Sequence, residues 1–516
     1  MKTEILFSND ALNTIDNGIN KLANTVKVTI GAKGRNVLIQ REHLDPLITN
    51  DGVTIVKAIN LENEYENMAA QLVKDVAIRT NKKAGDGTTT AILLVQALWN
   101  QLYPVLGQYN PMVVKNGLKN AMEIALKELD KMSVPIETNK QIERVATISG
   151  NNDSEIGELI AKAVDQIGEK GVILLEEANQ YDTTLEIKMG LSFEQGFISP
   201  YLVNNEKEVN YEDALILATD KKIESMPPIL NVLSSVSNNG EKIVIICDDM
   251  SDNVLSQLIT SKMQGNLNIL VAKCPGFGQR KEELIEDIAA ATGANPILKK
   301  YHTGDVSYSD LGMADVKMTN DSTTLINDSI IKTDYINNLK VKLEDETAEF
   351  LKDKLRERIS KLESGIALIK VGADTETEAN EKELRIEDAI NATKAAIEDG
   401  ILPGGGVALY DVSTILRKMP NEARGNADET VGFNALSYAI EEPLNQIHKN
   451  AGISSDYQRK IGQGKDVLSG NIVTMTEAGI IDPTKVTKSA LENAVSVISM
   501  LITTDVSMIL KKCDKA

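Results

Sequence analysis

The amino-acid sequence predicts a multidomain protein of the α and α/β class. The 516 residues are enough for about three domains. Both terminal regions read mainly as helices, whereas residues 190–365 alternate short apolar strands with helices. Aromatic residues make up only 4% of the chain, which fits an interior filled by aliphatic side chains. Because the α/β region interrupts a mostly helical chain, we expect the two ends to form one domain with an insertion.

The N-terminal region is expected to contain a helix, a β-hairpin and further helices. Residues 36–40 and 53–59 look like strands, and Asn50-Asp51-Gly52 between them is a strong turn signal. Residues 62–80 have apolar side chains at helical spacing. A further helix is predicted to open at Pro111 and to end before Val134-Pro135.

The middle of the chain carries the strand predictions. Apolar runs predict strands at 214–220, 242–249 and 268–275, more weakly at 295–300, and again at 364–372. The intervening residues 252–263 and 280–292 read as helices, as do residues 378–400, with Gly400 as the C-terminal cap. Three consecutive glycines, 404–406, then precede another helix.

Charge and cysteine content exclude several classes of function. The formal net charge of −20 argues against nucleic acid as a partner, because phosphate backbones require basic surface. Cys247, Cys274 and Cys513 are far apart and suggest neither a disulfide framework nor a zinc site. There is no signal peptide pattern and no apolar run long enough to span a bilayer. We therefore predict a cytoplasmic protein without membrane or nucleic-acid partners.

Residues 84–99, AGDGTTTAILLVQALW, place glycines, an aspartate and three threonines directly before an apolar helix. The start of a helix offers unpaired amides and partial positive charge, which suits a phosphate group. A carboxylate beside a phosphate is repulsive unless a cation lies between them, so we interpret Asp86 as a Mg²⁺ ligand. Taken alone, the segment favours a simple glycine-punctuated, capped helix start, because short motifs often match by accident.

Several motifs in collinear order resemble those of group I, GroEL-type chaperonins. They are AGDGTTTA, VKVTIGAKGRNVL, NDGVTIVKAI, ENMAAQLVKDVA, CPGFGQRKEELIEDIA, IEDAINATKAAIEDGILPGGGVAL and AGIIDPTKVTKSAL, and they extend over roughly residues 5 to 510. The resemblance implies a GroEL-like chaperonin subunit with a helical equatorial domain, a small intermediate domain and an α/β apical domain. These would comprise residues 1–132 with 401–516, residues 133–189 with 366–400, and residues 190–365, respectively.

The resemblance also implies an activity and partners. The chain would be an ATP-dependent chaperone, an ATPase that requires Mg²⁺ and binds unfolded or partly folded polypeptides in the cavity of a homo-oligomeric ring. One or two seven-membered rings and a GroES-type co-chaperonin lid are expected. ATP binding and hydrolysis would drive movement of the apical domain.

Individual residues match positions of the family's nucleotide site. The resemblance implies that Asp86 binds Mg²⁺ and that Asp51 and Asp388 act in catalysis, with Asp388 positioning the attacking water. It further implies nucleotide contacts from Thr29, Ile30, Gly31, Gly87, Thr88, Thr89, Thr90, Gly404, Gly405 and Asp482. The sequence gives Asp388 weak independent support, because Leu384, Asp388, Ala392 and Ala395 form one helical stripe that should face inward. Without the resemblance, an ordinary exposed charge is the favoured interpretation of Asp388.

In the apical range, seven residues match the family's groove for substrate and lid. They are Phe197, Tyr201, Leu202, Leu230, Leu233, Leu255 and Ile259. Apolar groups suit a promiscuous receptor, because unfolded chains share exposed hydrophobic surface. Most Leu and Ile residues on helices are core residues, and the sequence does not decide between the two. Gly190 and Gly365 match the hinge between the intermediate and apical domains.

The chain departs from the family pattern in four places. Ala32 replaces a proline, Asn50 replaces a lysine, residues 465–470 replace the usual segment near adenine, and the Gly/Met-rich tail is absent. The change at Asn50 leaves K⁺ dependence open, and no adenine contacts are carried over. The substitutions at 32, 50 and 465–470 motivate a second hypothesis, a chaperonin-fold holdase with little ATP turnover, whereas the retained Asp51, Asp86 and Asp388 argue against it. A group II-like machine with a built-in lid is a third, which the lack of an evident protrusion insert opposes.

Overall fold

The computed structural model describes residues 2–41, 44–169, 171–177, 182–203, 208–276, 278–299, 305–327 and 333–511. Internal contacts divide the chain into two compact units: unit 1 comprises residues 1–162 and 371–516, and unit 2 comprises residues 163–370. Both ends of the chain therefore belong to one unit, and the middle is inserted into it. The range expected to form an intermediate domain is shared between the two units. Cys513 lies outside the described residues.

Helices make up most of unit 1 and alternate with strands in unit 2. In chain order, the helices of the described residues are α1 (Ser8–Val26), α2 (Gly52–Ala58), α3 (Glu64–Ala84), α4 (Thr88–Leu102), α5 (Pro111–Met132), α6 (Asn139–Ser149), α7 (Ser154–Ile167), α8 (Pro227–Asn239), α9 (Asp252–Met263), α10 (Gln279–Thr292), α11 (Thr333–Asp345), α12 (Glu349–Glu363), α13 (Glu376–Asp399), α14 (Val407–Arg417), α15 (Asn421–Arg424), α16 (Ala427–Ala439), α17 (Glu442–Ala451) and α18 (Thr484–Leu501).

The strands are short and are divided among several sheets. They are β1 (Lys2–Phe7), β2 (Val37–Arg41), β3 (Leu44–Thr49), β4 (Val172–Glu177), β5 (Thr184–Lys188), β6 (Gly190–Phe193), β7 (Glu208–Ala218), β8 (Lys222–Ile223), β9 (Lys242–Cys247), β10 (Asp249–Met250), β11 (Asn268–Lys273), β12 (Gly312–Thr319), β13 (Thr323–Ile326), β14 (Ile366–Val371), β15 (Ile401–Pro403), β16 (Gln463–Lys465), β17 (Ile472–Thr474), β18 (Ile481–Pro483) and β19 (Val506–Lys511).

Unit 1 is built around α4, which is buried along most of its length. Its core brings together side chains from α1, α3, α5, α14, α16 and α18. Trp99 is fully buried and its indole N–H donates a 3.0 Å hydrogen bond to Asp16. The apolar helix that the sequence indicates after residues 84–90 is therefore present and buried, since a helix that is apolar on most sides must be covered on most sides.

Unit 2 contains a six-stranded sheet in the order β11-β9-β7-β12-β13-β6. β7, β9 and β11 are parallel and β12, β13 and β6 are antiparallel to their neighbours. The predicted strands at 214–220, 242–249, 268–275 and 364–372 are confirmed. At 295–300 the sequence overstated the strand, since Ile297 forms only an isolated bridge to Thr219.

The predicted hairpin through residues 50–52 is wrong. The hairpin is formed by β2 and β3, and residues 52–58 are helix α2. Asp51 is the N-cap of this helix, and its carboxylate accepts hydrogen bonds from the amides of Val53 and Thr54 at 3.0 and 2.7 Å. The cap satisfies amides that a strand would have paired with another strand, and it outweighs the β-propensity of the valines and isoleucine.

Candidate functional site

A cavity of about 330 Å³ in unit 1 collects residues that lie far apart in the sequence. The predicted site residues that line it are Thr29, Ile30, Gly31, Asp51, Asp86, Gly87, Thr88, Thr89, Thr90, Asp388, Gly405 and Asp482. Gly404 is not among the lining residues that the structure describes, but a Cβ there would lie 2.9 Å from a carboxylate oxygen of Asp482. Ala32 and Asn50, two of the departures from the family pattern, also line the cavity.

Two glycines turn the chain sharply between α3 and α4, so that α4 begins at the cavity. Gly85 ends α3 with φ 74°, and Gly87 precedes α4 with φ 87°. Both values lie in the left-handed region that glycine adopts without strain. A Cβ on Gly87 would also come within 2.6 Å of the Val486 side chain. The start of α4 therefore presents its first amides to the cavity with almost no bulk in front of them.

Two buried polar atoms at this end of the cavity have no hydrogen-bond partner among the described residues. They are the hydroxyl oxygen of Thr88 and the side-chain oxygen of Asn81. Both residues line the cavity. A buried polar atom without a partner costs free energy, and such atoms are rare in folded proteins. The unpaired Thr88 hydroxyl beside the free amides of a helix start suits an anionic ligand such as a phosphate.

Acidic side chains share the same cavity and disfavour each other's charge. Burial raises the pKa of Asp86, and the charge of Asp51 adds to this, while hydrogen bonds from Ser149 and the Gly87 amide act in the opposite direction. The pKa of Asp388 is well above its ordinary value, first because of burial and then because of Asp86 and Asp51. A cation between these carboxylates would relieve the repulsion.

Asp482 lies on β18 and faces the glycines that follow β15. Burial raises its pKa to about 6, with a further contribution from Asp86, and the amides of Gly405 and Gly406 offset part of this rise. β15 and β18 pair directly, with Leu402 opposite Asp482. This pairing brings two segments about 80 residues apart in the chain to one side of the cavity.

The loop after α1 forms another wall. Gly31 has φ 88°, and a Cβ there would lie 2.9 Å from the Ile447 side chain. The Asn450 amide donates 2.9 Å hydrogen bonds to the carbonyls of both Lys27 and Ile30. The loop is thus held from α17, although Ala32 lacks the conformational restriction of a proline.

Helix α13 supplies Asp388 as the helical stripe predicted. Ala392 and Ala395 are buried, whereas Leu384 and Asp388 are partly buried and line the cavity. The stripe therefore faces inward, and Leu384 and Asp388 lie on the part of it that lines the cavity.

Sequence reasoning missed the residues at the end of α6. The Ser149 hydroxyl donates a hydrogen bond to Asp86, and Asn151 and Asn152 line the cavity with φ 62° each. Positive φ is unusual outside glycine but is tolerated by asparagine. The run Gly150-Asn151-Asn152 is a turn signal that could have drawn attention to this segment.

The donor set fits Mg²⁺ only together with a phosphate ligand. No group of three His, Cys, Asp or Glu side chains in the described part of the chain is arranged to hold a metal ion. Mg²⁺ in nucleotide sites is usually bound by one or two carboxylates, with phosphate and water completing the octahedron. Asp86, next to the phosphate-type helix start, fits such a role.

The seven residues expected to line a groove in unit 2 separate into two sets. Phe197, Leu202 and Leu233 are buried in the core, so in this conformation their side chains do not form a groove surface. Tyr201 and Leu230 are 63% and 49% exposed, and Leu255 and Ile259 are partly buried. The apolar surface available from this set is therefore restricted to the latter four.

The fold, together with a cavity that suits a phosphate group, indicates a class of protein. Residues 22–512 match the TCP-1/cpn60 chaperonin family, and the chain belongs to this family. Two crystal structures of the chaperonin gp146 from bacteriophage EL 2 (Pseudomonas aeruginosa), both in the presence of ATP-BeFx, have the same fold. Crystal form II matches with a TM-score of 0.72 and 19% identity over 98% of this chain and 99% of that chain. Crystal form I matches with a TM-score of 0.67 and 18% identity over the same shares of the two chains.

The resemblance that the motifs indicate is thus confirmed at the level of the family, and group I membership stays a prediction. Among the described residues, the helices are too short or too polar to cross a bilayer.

Proposed function

We propose that this chain is a subunit of an ATP-dependent chaperonin that hydrolyses ATP and uses the cycle to bind and release non-native polypeptides. One observation carries the proposal: the unpaired Thr88 hydroxyl lies at a helix start that opens into a cavity with Asp86 and Asp388. A nucleotide-binding protein without turnover could use Asp86 to hold Mg²⁺ but would have little use for Asp388, since a second buried acid repels both Asp86 and a phosphate.

The residues of the cavity divide into binding and catalytic roles. The amides and hydroxyls of Thr88, Thr89 and Thr90 bind the phosphates, and Asp86 holds Mg²⁺. Bound Mg²⁺ neutralises charge on the phosphates and polarises the reacting phosphoryl group. Gly405 and Asp482 lie against the ribose, while Thr29, Ile30 and Gly31 cover the nucleotide.

Asp388 orients the attacking water and accepts its proton. Its raised pKa makes the ionised carboxylate a better proton acceptor than an exposed aspartate. Asp51 adds negative charge near the reacting centre, and its two oxygens are fixed by the amides of α2.

The remaining parts of the proposal concern assembly. The three domains that the sequence predicts, a ring of one or two sets of seven copies, a cytoplasmic location and a GroES-type lid follow from the family resemblance. Non-native polypeptide would bind the exposed apolar side chains of Tyr201 and Leu230 with those of Leu255 and Ile259. Asn50, which lines the cavity, leaves the K⁺ requirement to be measured.

Steady-state ATP hydrolysis by the purified protein, with and without K⁺, tests the proposal. Mg²⁺-dependent turnover that supports refolding of a denatured protein is the expected result. ATP binding without turnover would refute the folding cycle and support the holdase alternative. Refolding that needs an added GroES-type lid would exclude a built-in lid.

A further inference from the structure

Unit 1 contains a buried ion pair that no part of the proposed chemistry uses. Asp411 on α14 and Arg459 in the segment after α17 are joined by a 2.8 Å bond, with side chains only 4% and 9% exposed. The guanidinium also lies 4.3 Å from the centre of the Tyr410 ring. An aspartate is unusual in the apolar run VALYDV, so Asp411 stands out in the sequence. Nothing in the sequence identifies Arg459 as its partner.

Both members of the pair hold the backbone at the start of β16. The second carboxylate oxygen of Asp411 accepts a 2.8 Å hydrogen bond from the Gly462 amide. Arg459 donates a 2.6 Å hydrogen bond to the carbonyl of Gln463, the first residue of β16. The pair therefore fixes both residues at the entry to the strand.

β16 leads without a break into the cavity wall. It pairs with β17, and Lys465, Asp466, Val467 and Leu468 after Gly464 line the cavity. The Lys465 amide donates a 2.9 Å hydrogen bond to the hydroxyl of Tyr457, which gives this wall a second anchor.

This wall differs in chemistry from the start of α4. Val467 and Leu468, with Met475 and Ile480 close by in the lining, make it largely apolar, whereas acids and free amides gather around Asp86. An apolar end suits a nucleobase, and the charged end suits phosphates.

Burial of the pair is not explained by stability. The attraction between two buried charges often fails to recover the free energy lost when both are removed from water, whereas a fixed geometry is one reason to keep such a pair. We infer that Asp411 and Arg459 are positioning residues for nucleotide binding, which set the wall formed by Lys465–Leu468 against the base. The inference rests on the proposed ATP function and adds a structural determinant of affinity to it.

Asp411→Asn, Arg459→Met and Tyr457→Phe test the inference, with ATP and inorganic tripolyphosphate as probes. Calorimetry should show ATP binding weakened about 10-fold or more in the first two variants and less in Tyr457→Phe. Tripolyphosphate, which has no base, should bind all proteins equally, and kcat at saturating ATP should stay within about threefold. Arg459→Lys, which keeps the charge, should fall between the wild type and Arg459→Met.

Asp287→Asn in unit 2 is a matched control, because Asp287 forms a similarly buried pair with Arg358 at 2.8 Å. It should lower stability and leave ATP affinity unchanged. Two results would overturn this inference without affecting the proposed function. One is that Tyr457→Phe and at least one ion-pair variant bind ATP as tightly as the wild type. The other is that the ion-pair variants lose ATP and tripolyphosphate binding to the same extent. Should Asp411→Asn and Arg459→Met fail to fold, Arg459→Lys decides the matter: ATP affinity equal to that of the wild type would overturn the inference, and weaker ATP binding with unchanged tripolyphosphate binding would support it. Absence of ATP binding in the wild type would overturn the proposed function and this inference together.

Discussion

The Ser149 hydroxyl donates a hydrogen bond to a carboxylate oxygen of Asp86 and so joins the end of α6 to the turn before α4. If Asp86 holds Mg²⁺, this contact fixes the direction of a metal ligand. Loss of such supporting contacts typically costs 10- to 100-fold in metal affinity. We therefore expect Ser149→Ala to raise by about that factor the Mg²⁺ concentration needed for nucleotide binding, as measured by Mg²⁺ titration.

Ser413→Ala is the matched control, because Ser413 makes the same type of bond, 2.6 Å long, to Glu441, and neither residue lines the cavity. Its Mg²⁺ requirement should equal that of the wild type. An unchanged requirement in Ser149→Ala would remove the supporting role of Ser149.

Asp388→Ala should bind ATP and lose hydrolysis. Removal of a group that orients and deprotonates water costs about 100- to 10,000-fold in kcat. Binding should not weaken, because the substitution also removes one of several mutually repelling acids. Glu387→Ala, one residue earlier and exposed, should hydrolyse ATP at the wild-type rate. Comparable rates in Asp388→Ala and Glu387→Ala would disprove the catalytic assignment.

The parts of the site that could be predicted from sequence are those encoded locally. The glycines at 85 and 87 are required by positive φ, and the burial of α4 follows from its uniform apolar character. The inward face of α13 follows in the same way from helical spacing. Each of these features depends on neighbours within a few turns of the chain.

The parts that could not be predicted depend on distant partners or on competing local preferences. Ser149 reaches Asp86 across 63 residues, and nothing in either segment announces the contact. Residues 53–59 carry β-branched side chains, so propensity favoured a strand, but the cap at Asp51 and the burial of Ile55 and Val56 selected a helix. The buried state of Phe197, Leu202 and Leu233 likewise depends on how the whole sheet of unit 2 is covered.

Thr88→Val should leave the ligand-free protein as stable as the wild type and weaken ATP binding. The Thr88 hydroxyl has no partner within the described structure, so its replacement by a methyl group of similar size removes an unpaired polar atom. The ATP complex of the variant lacks one hydrogen bond, from the Thr88 hydroxyl to a charged phosphate group, and such a bond is worth about 1.5–3 kcal/mol. We therefore expect the Kd for ATP, measured by calorimetry, to rise about 10- to 150-fold.

Thr80→Val is the control for this substitution. The Thr80 hydroxyl is fully buried, donates to the Val76 carbonyl and accepts from the Asn493 amide. Its loss should lower the free energy of unfolding by about 1 kcal/mol and leave ATP affinity unchanged. A destabilised Thr88→Val protein with normal ATP affinity would contradict the proposed phosphate contact.

Two substitutions at Asp51 separate its structural role from its charge. Asp51→Ala removes the cap of α2 and should cost about 1 kcal/mol of stability, whereas Asp51→Asn keeps one of the two acceptor oxygens, and asparagine is as good an N-cap residue as aspartate. If the charge of Asp51 acts in catalysis, both variants hydrolyse ATP slowly and only the alanine variant is less stable. Asn63→Ala, which removes the cap of α3 away from the cavity, should lose stability alone. Normal hydrolysis by Asp51→Asn would assign Asp51 to the cap only.

The raised pKa of Asp482 predicts a specific pH dependence of stability. Its folded-state pKa is about 6 against an ordinary value of 3.8, so between these values the folded protein holds a proton that the unfolded chain has lost. This group therefore reduces stability as the pH rises from about 4 to 6, and the full cost is present above pH 6.

Asp482→Asn should accordingly be more stable than the wild type at pH 8, with the gain shrinking towards pH 4, as measured by the midpoint of urea unfolding without nucleotide. Asp466→Asn should instead be less stable than the wild type by about the same amount at pH 8 and pH 5, with the loss shrinking only below about pH 4, because hydrogen bonds from Ser469 and Leu468 outweigh burial and lower the pKa of Asp466. A stability gain in Asp482→Asn that is the same at pH 4 and pH 8 would show that the folded protein does not hold Asp482 protonated in this range.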